Sequence, residues 1–167
     1  MSDVDLNMRS RIVKVLTELE KQSVLERSGL AEVSHEDSML AITSDTGKFF
    51  SILVSAMNAK KILEVGTSVG YSTLWFAYSF YQNEENHSMS KVNITTIDNN
   101  PLKIKKATTN FKNAGVSGLI EIIEGNALKV LNQLSNHVKE NPDDHSQYID
   151  FIFLDADKEN LQEYYDL

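Results

Sequence analysis

The stretch KKILEVGTSVGYSTLWFA, residues 60–77, joins an apolar run, an acid and two glycines four residues apart to a helix-like segment. ILEV is typical of a short strand that is buried on both faces. GTSVG is typical of a loop whose glycines adopt unusual dihedral angles and let the backbone approach a ligand. The stretch therefore predicts a strand, a ligand-binding loop and a helix in succession.

Three further apolar runs follow, and each is separated from the next by an amphipathic segment. Predicted strands cover residues 61–65, 92–98, 119–125 and 148–157. Predicted helices cover residues 8–27, 46–58, 72–81, 101–114 and 127–140, and one begins near 158. Strands that alternate with helices indicate βαβ units, so we predict an α/β fold with a Rossmann-like, doubly wound parallel sheet.

We predict a single domain over residues 1–167, with helices in 1–58 and a βαβ core in 59–167. The chain ends a few residues into the helix after the fourth strand, which would leave that strand as a bare apolar edge. We therefore expect the C-terminal strands of the sheet to be missing from this chain, or a partner to cover the edge.

Composition narrows the class of protein. The net charge of −8 disfavours generic nucleic-acid or membrane binding, and the absence of cysteine excludes a disulfide scaffold and a thiolate site. The N-terminal thirty residues lack the apolar core of a signal peptide, and no run approaches the roughly 20 apolar residues that span a bilayer. We expect a cytoplasmic protein.

Ligands of open parallel sheets bind beyond the carboxyl ends of the strands. The residues that follow or end the predicted strands are Glu64, Gly66, Gly70, Asp98, Gly125, Asn126, Ala127, Asp155, Asp157 and Lys158. A carboxylate such as Asp98 can accept both hydroxyls of a ribose. GTSVG lacks the third glycine of the dinucleotide fingerprint and the G-K-[ST] of a P-loop, so a nucleoside without phosphates fits better.

Four segments carry a resemblance to a known family: ILEVGTSVGYSTLWFA, ITTIDNNPLKIKKATTNFKNAGV, IEIIEGNALKVL and YIDFIFLDADKENLQEYY. They resemble the successive motifs of the S-adenosylmethionine-dependent O-methyltransferases of the caffeoyl-CoA and catechol type, which have the class I methyltransferase fold. The upstream ITSDTGKFFSILV resembles that family's segment before the first strand, so the resemblance runs from about Ile42 to Tyr165. GYST together with DADKEN is its most specific part.

The resemblance implies a role for each matching position. Glu64 and Gly66 would line the methionine part of the cofactor, Ser72 would hydrogen-bond its carboxylate, Asp98 would hold the ribose and Ala127 would lie by the adenine. Thr67, Asn126 and Asp155 complete the cofactor-binding set that we predict.

The resemblance also implies a catalytic pair. Asp155 would be a ligand of a divalent cation, usually magnesium, and Lys158 would be the general base that deprotonates the acceptor hydroxyl. The family completes its metal site with an Asp-Asn pair after the fifth strand, and this chain ends at Leu167, before that point.

We therefore predict an O-methyltransferase that acts with S-adenosylmethionine and a divalent cation on a small phenolic or catechol-like acceptor, as a homodimer without a membrane partner. One alternative keeps the cofactor and makes hydroxyuridine in tRNA the acceptor. Another is a truncated domain that binds S-adenosylmethionine without catalysis. An NAD-dependent oxidoreductase would rest only on the generic pattern of strand, glycine and acid.

Overall fold

A computed structural model describes residues 3–31, 38–39, 41–82, 92–145, 148–156 and 159–167 of the chain. The strands are β1 (Lys61–Val65), β2 (Asn93–Asp98), β3 (Ile120–Glu124) and β4 (Phe151–Leu154). The helices are α1 (Asp3–Arg27), α2 (Ser44–Ala56), α3 (Tyr71–Phe80), α4 (Pro101–Ala114), α5 (Ala127–Glu140) and α6 (Leu161–Tyr165), and a 3₁₀ turn covers Ser117–Leu119. Each predicted strand and helix is present.

The strands form one parallel sheet in the order β3-β2-β1-β4. The chain runs outward from β1 through β2 to β3, and then crosses back to place β4 on the other side of β1. This reversal of direction is the topological switch at which doubly wound sheets bind ligands. The observed order confirms the predicted α/β, doubly wound architecture and makes β4 an edge strand.

Alternate residues of β1 point to opposite faces of the sheet, because side chains along a strand alternate in direction. Ile62 lies in the larger core, which α1, α2, α3 and α4 cover. Leu63 and Val65 lie in a smaller core, to which α5 and α6 contribute. That second face is less completely covered than the apolar strands suggested, since Ile152 of β4 is 55% exposed.

Helix boundaries follow local capping. The Asn100 side chain accepts hydrogen bonds from the N–H groups of Leu102 and Lys103, Pro101 takes the first position of α4, and Gly115 ends it in the left-handed region. These are the start and the stop that the sequence predicted for this helix.

The two ends of the chain differ most from the predicted boundaries. Helix α1 begins at Asp3 rather than at residue 8, and β4 has four residues rather than ten. Just before β4, the N–H of Asp150 donates to the carbonyl oxygen of Lys61 at 2.9 Å, and its carboxylate accepts hydrogen bonds from the N–H groups of Lys60 and Lys61. Among the described helices, none has the length and apolarity needed to cross a bilayer.

Candidate functional site

The carboxyl edge of the sheet brings the glycine loop, residues 66–70, against the end of β2. The N–H groups of Gly66 and Thr67 donate to the carbonyl oxygen of Ile97, at 2.9 and 3.2 Å. The N–H of Ser68 donates to Oδ2 of Asp98 at 2.7 Å. The loop and the acid that were predicted separately from the sequence therefore form one site.

Asp98 is half-buried, and backbone donors orient its carboxylate. Oδ2 accepts the N–H of Ser68, and Oδ1 accepts the N–H of Asn100 at 2.9 Å. An ionised carboxylate has about four acceptor positions, so each oxygen can accept one more hydrogen bond. A carboxylate held in this way can accept the two hydroxyls of a ribose.

Glu64 lies beneath the loop rather than at the open edge. It is 0% exposed, and its carboxylate accepts hydrogen bonds from the hydroxyls of Ser72, of Thr73 at 2.5 Å and of Thr96 at 2.6 Å. Burial raises the pKa of Glu64 to about 7, although the three hydroxyl hydrogen bonds act in the opposite direction. Side-chain alternation along β1 explains this placement, because Glu64 points to the same face as Ile62.

Ser72 and Thr67 are both at the site but already have hydrogen-bond partners. Ser72, in the first turn of α3, is 7% exposed and donates its hydroxyl to Glu64. Thr67 is 1% exposed, and its hydroxyl lies 2.7 Å from that of Thr96. The first turn of a helix has backbone N–H groups without intrahelical partners, so α3 offers anion-binding donors independent of the Ser72 side chain.

Both glycines of the loop adopt the unusual dihedrals that the sequence predicted, with φ of 105° at Gly66 and 83° at Gly70. Packing within the protein also requires them. A Cβ on Gly66 would lie 2.3 Å from the carbonyl oxygen of Asp155, and a Cβ on Gly70 would lie 2.4 Å from the ring of Phe111. The absence of side chains at these two positions therefore lets the residue after β4 and the Phe111 ring of α4 lie directly against the loop.

The end of β3 lies next to Asp98. The N–H of Gly125 donates to the carbonyl oxygen of Asp98 at 2.9 Å. Asn126 is exposed and caps α5 by accepting the N–H of Lys129, and Ala127 begins that helix. Gly125, Asn126 and Ala127 thus form the side of the site beyond the ribose acid.

Asp155 lies at the opposite side of the loop, directly after β4. It is exposed, and its N–H donates to the carbonyl oxygen of Val65 at 2.9 Å. Within the described ranges, no group of three or more His, Asp or Glu residues could hold a metal ion. Among the residues that the structure describes, Asp155 is therefore not part of such a group. Asp157 and Lys158 lie outside the described residues.

Sequence reasoning missed the polar residues that support the site. Thr73 and Thr96 hold Glu64, and Ser68 contacts both Asp98 and the carbonyl oxygen of Met39. The density of hydroxyls in TSVGYST was the available signal, since hydroxyls beside a buried acid are natural donors to it. Met39 carried no such signal.

Sequence and structure comparisons agree on the family. The profile of the O-methyltransferase family matches residues 15–167. The catechol O-methyltransferase of Mycobacterium tuberculosis is 31% identical over 121 residues, which are 72% of this chain and 47% of that protein. The caffeoyl-CoA O-methyltransferase of Medicago sativa is 33% identical over 131 residues, 78% of this chain and 48% of that protein.

A solved structure extends the similarity to the fold. The O-methyltransferase from Bacillus cereus, in complex with SAH (S-adenosylhomocysteine), superposes with a TM-score of 0.63 at 28% identity. The superposition covers 94% of this chain and 59% of that one. This chain spans about half the length of the curated relatives it matches. It has the class I methyltransferase fold that the resemblance predicted, and it belongs to the O-methyltransferase family.

Proposed function

We propose that this chain binds S-adenosylmethionine at the carboxyl ends of β1, β2 and β3 and serves methyl transfer to the hydroxyl of a small phenolic or catechol-like acceptor. The observation that carries the proposal is the hydrogen bond from the Ser68 N–H to Oδ2 of Asp98. It joins the glycine loop to an acid suited to a ribose, at the topological switch of a sheet from the O-methyltransferase family.

The cofactor would lie across the loop with its ribose on Asp98 and its adenine towards Asn126 and Ala127. Gly66 would contribute backbone beside the methionine part, whose carboxylate would bind at the first turn of α3. Because the Ser72 hydroxyl donates to Glu64, it would have to change partner to bind the same carboxylate. We therefore assign that carboxylate first to the backbone N–H groups.

Thr67 and Glu64 would act from below the cofactor. Both are buried, and their polar atoms are engaged with neighbouring hydroxyls. Within the proposal they hold the loop and the start of α3 in place, which fixes the positions of the donors above them. We therefore propose that the side chains of Thr67 and Glu64 support the residues that contact the cofactor, and that they do not contact it themselves.

For the acceptor, we propose that Asp155 would be one ligand of a divalent cation, magnesium in the family resemblance, and that Lys158 would be the base that takes the proton of the acceptor hydroxyl. A hard cation lowers the pKa of a hydroxyl that it binds. A single carboxylate does not make a cation site, and within the described residues no group of three or more His, Asp or Glu side chains completes one. The homodimer and the cytoplasmic location remain predictions.

A transfer assay tests the proposal. The chain is incubated with S-adenosylmethionine labelled in its methyl group, with either catechol or purified tRNA, and with magnesium or EDTA. We expect labelled catechol in the presence of magnesium and none with EDTA. Asp98→Ala should abolish labelling, whereas Asp143→Ala, which changes an exposed acid in the loop after α5, should leave it unchanged.

The other outcomes separate the alternatives. Label transferred to tRNA and not to catechol would replace the phenolic acceptor with a nucleic acid. Cofactor binding without transfer to either acceptor would favour a domain that binds S-adenosylmethionine without catalysis. Failure to bind the cofactor at all would contradict the proposal.

A further inference from the structure

Ser68 has an unusual backbone conformation for a serine. Its φ is 47°, in the left-handed region that favours glycine, and it lies between the two glycines of the loop. A non-glycine residue in such a region is strained and persists only where its surroundings hold it. The contacts that hold Ser68 therefore identify what the strained conformation maintains.

Two hydrogen bonds hold Ser68, one from its backbone and one from its side chain. The N–H donates to Oδ2 of Asp98 at 2.7 Å, and Oγ donates to the carbonyl oxygen of Met39 at 2.6 Å. Glycine would adopt the same dihedral without cost, but it has no hydroxyl to offer Met39. The serine side chain thus connects the loop to the segment between α1 and α2.

Met39 is itself anchored on its other side. It is 1% exposed, and its N–H donates to Oε2 of Glu26, near the end of α1, at 2.8 Å. The Gln22 side chain donates in turn to Oε1 of Glu26. Hydrogen bonds therefore run without interruption from α1 through Met39 and Ser68 to Asp98.

We propose that Ser68 is a positioning residue for cofactor binding, which holds the Asp98 carboxylate in its ribose-binding orientation by anchoring the loop to Met39 and, through Met39, to α1. The inference rests on the proposed function, because it assigns Asp98 to the ribose. It makes the N-terminal helix a support of the cofactor site, although Glu26 and Met39 need not touch the cofactor.

The physical reason is that the hydrogen bond from Ser68 to Met39 restricts the conformational freedom of the loop. If the Oγ bond to Met39 is lost, Ser68 keeps one of its two hydrogen bonds, and its N–H can move away from Asp98. Asp98 would then sample orientations that do not match the two ribose hydroxyls. Binding would require the loop to be ordered again, which lowers affinity without a change in any group that contacts the cofactor.

The test compares three variants with the unchanged chain by calorimetric titration with S-adenosylhomocysteine and by thermal unfolding. Ser68→Gly removes the hydroxyl and relieves the backbone conformation. Glu26→Ala removes the acceptor at the far end of the chain of hydrogen bonds. Ser79→Ala is the matched control, because the hydroxyl of that buried serine also donates to a backbone carbonyl, that of Phe76, near the end of α3.

We expect Ser68→Gly to weaken binding roughly three- to tenfold, which corresponds to the loss of about one hydrogen bond. Its unfolding temperature should be no lower than that of Ser79→Ala, whose affinity should be unchanged. Glu26→Ala should weaken binding in the same direction. Hydrogen exchange at the Met39 amide should slow when the ligand binds to the unchanged chain, and should slow less in Ser68→Gly.

Equal affinities for Ser68→Gly and Ser79→Ala would overturn the inference, as would a loss of affinity that only follows a loss of stability. If either result is obtained while the unchanged chain still binds S-adenosylhomocysteine, the inference about Ser68 fails and the proposed function stands. Failure of the unchanged chain to bind S-adenosylhomocysteine would instead contradict the proposed function itself. The two failures are therefore distinguishable in one set of titrations.

Discussion

Replacement of Glu64 by glutamine should change the pH dependence of stability. Glu64 is fully buried among three hydroxyls, and its pKa is about 7 in the folded protein against 4.5 in an unfolded chain. Burial is the larger cause, since ionising a carboxyl without access to water is costly. Glutamine has nearly the same shape, and the hydroxyls can rotate to satisfy its amide.

The direction of the pH effect on stability follows from the number of protons that the folded and unfolded states bind. Below pH 4.5 the carboxyl is protonated in both states, so burial of Glu64 carries no ionisation penalty. Between 4.5 and about 7 the unfolded chain has released the proton that the folded protein retains, so stability falls as pH rises. Above about 7 both states are ionised, and the penalty is constant at about 3 kcal/mol, given about 1.4 kcal/mol per pH unit.

Thermal or urea unfolding of the two proteins from pH 4.5 to 8 measures this penalty. Subtracting the wild-type free energy of unfolding from that of Glu64→Gln removes the contributions of all other titrating groups. The difference should shift in favour of the variant by about 3 kcal/mol over this range, or roughly 6–12 °C for a chain of this size. Glu18→Gln, on the exposed face of α1, should show no such trend.

A difference that stays constant with pH would refute the reasoning, because Glu64 would then have the same pKa in both states. A difference that shifts against the variant as pH rises would show that the hydroxyls stabilise the ionised carboxylate more than burial destabilises it.

Three further changes have defined outcomes. Gly66→Ala should lower the free energy of unfolding in urea by more than about 2 kcal/mol, because the new Cβ would lie 2.3 Å from a backbone carbonyl oxygen and the residue has a φ of 105°. Gly118→Ala is the control, because a Cβ there would meet nothing within 4 Å. Arg11→Ala should cost about 1 kcal/mol, since the guanidinium donates to two carbonyls of the last turn of α4, and it should leave binding of S-adenosylhomocysteine unchanged in calorimetry. Ser72→Ala should weaken the binding of S-adenosylhomocysteine by less than about tenfold, because the Ser72 hydroxyl donates to Glu64 and the backbone N–H groups bind the ligand carboxylate. A larger loss would show that the Ser72 side chain contacts that carboxylate.

The layout of the site was predictable from the sequence because it depends on local patterns. Apolar runs and helix caps located the strands and helices, and parallel strands bring their carboxyl ends to one edge. Asp98 and the glycine loop therefore had to meet, and the hydrogen bond between Ser68 and Asp98 shows that they do. Asn100, Pro101 and Gly115 marked α4 for the same local reason.

What the sequence did not predict depends on contacts between distant parts of the chain. Gly66 and Gly70 were assigned to ligand approach, yet the atoms that exclude a side chain there belong to Asp155 and Phe111. The left-handed conformation of Ser68 depends on a carbonyl oxygen from the segment before α2, which no local pattern reveals. These partners become visible only when the sheet and helices are assembled.

Glu64 is an intermediate case. Its place in a strand made it look like a residue at the end of β1, but strand alternation assigns it to the face of Ile62, under α3. The hydroxyls of Thr73 and Thr96 that satisfy it were visible as residue types, although not as neighbours. Alternation alone would have indicated a buried carboxyl that needs donors.

The most direct test of the central claim is calorimetric titration of the chain with S-adenosylhomocysteine, followed by the same titration after addition of NADH. The account predicts saturable binding of about one ligand per chain, unaffected by NADH, because Asp98 and the glycine loop accept a nucleoside without a pyrophosphate. A folded chain that shows no binding, or that binds NADH in place of S-adenosylhomocysteine, would contradict it.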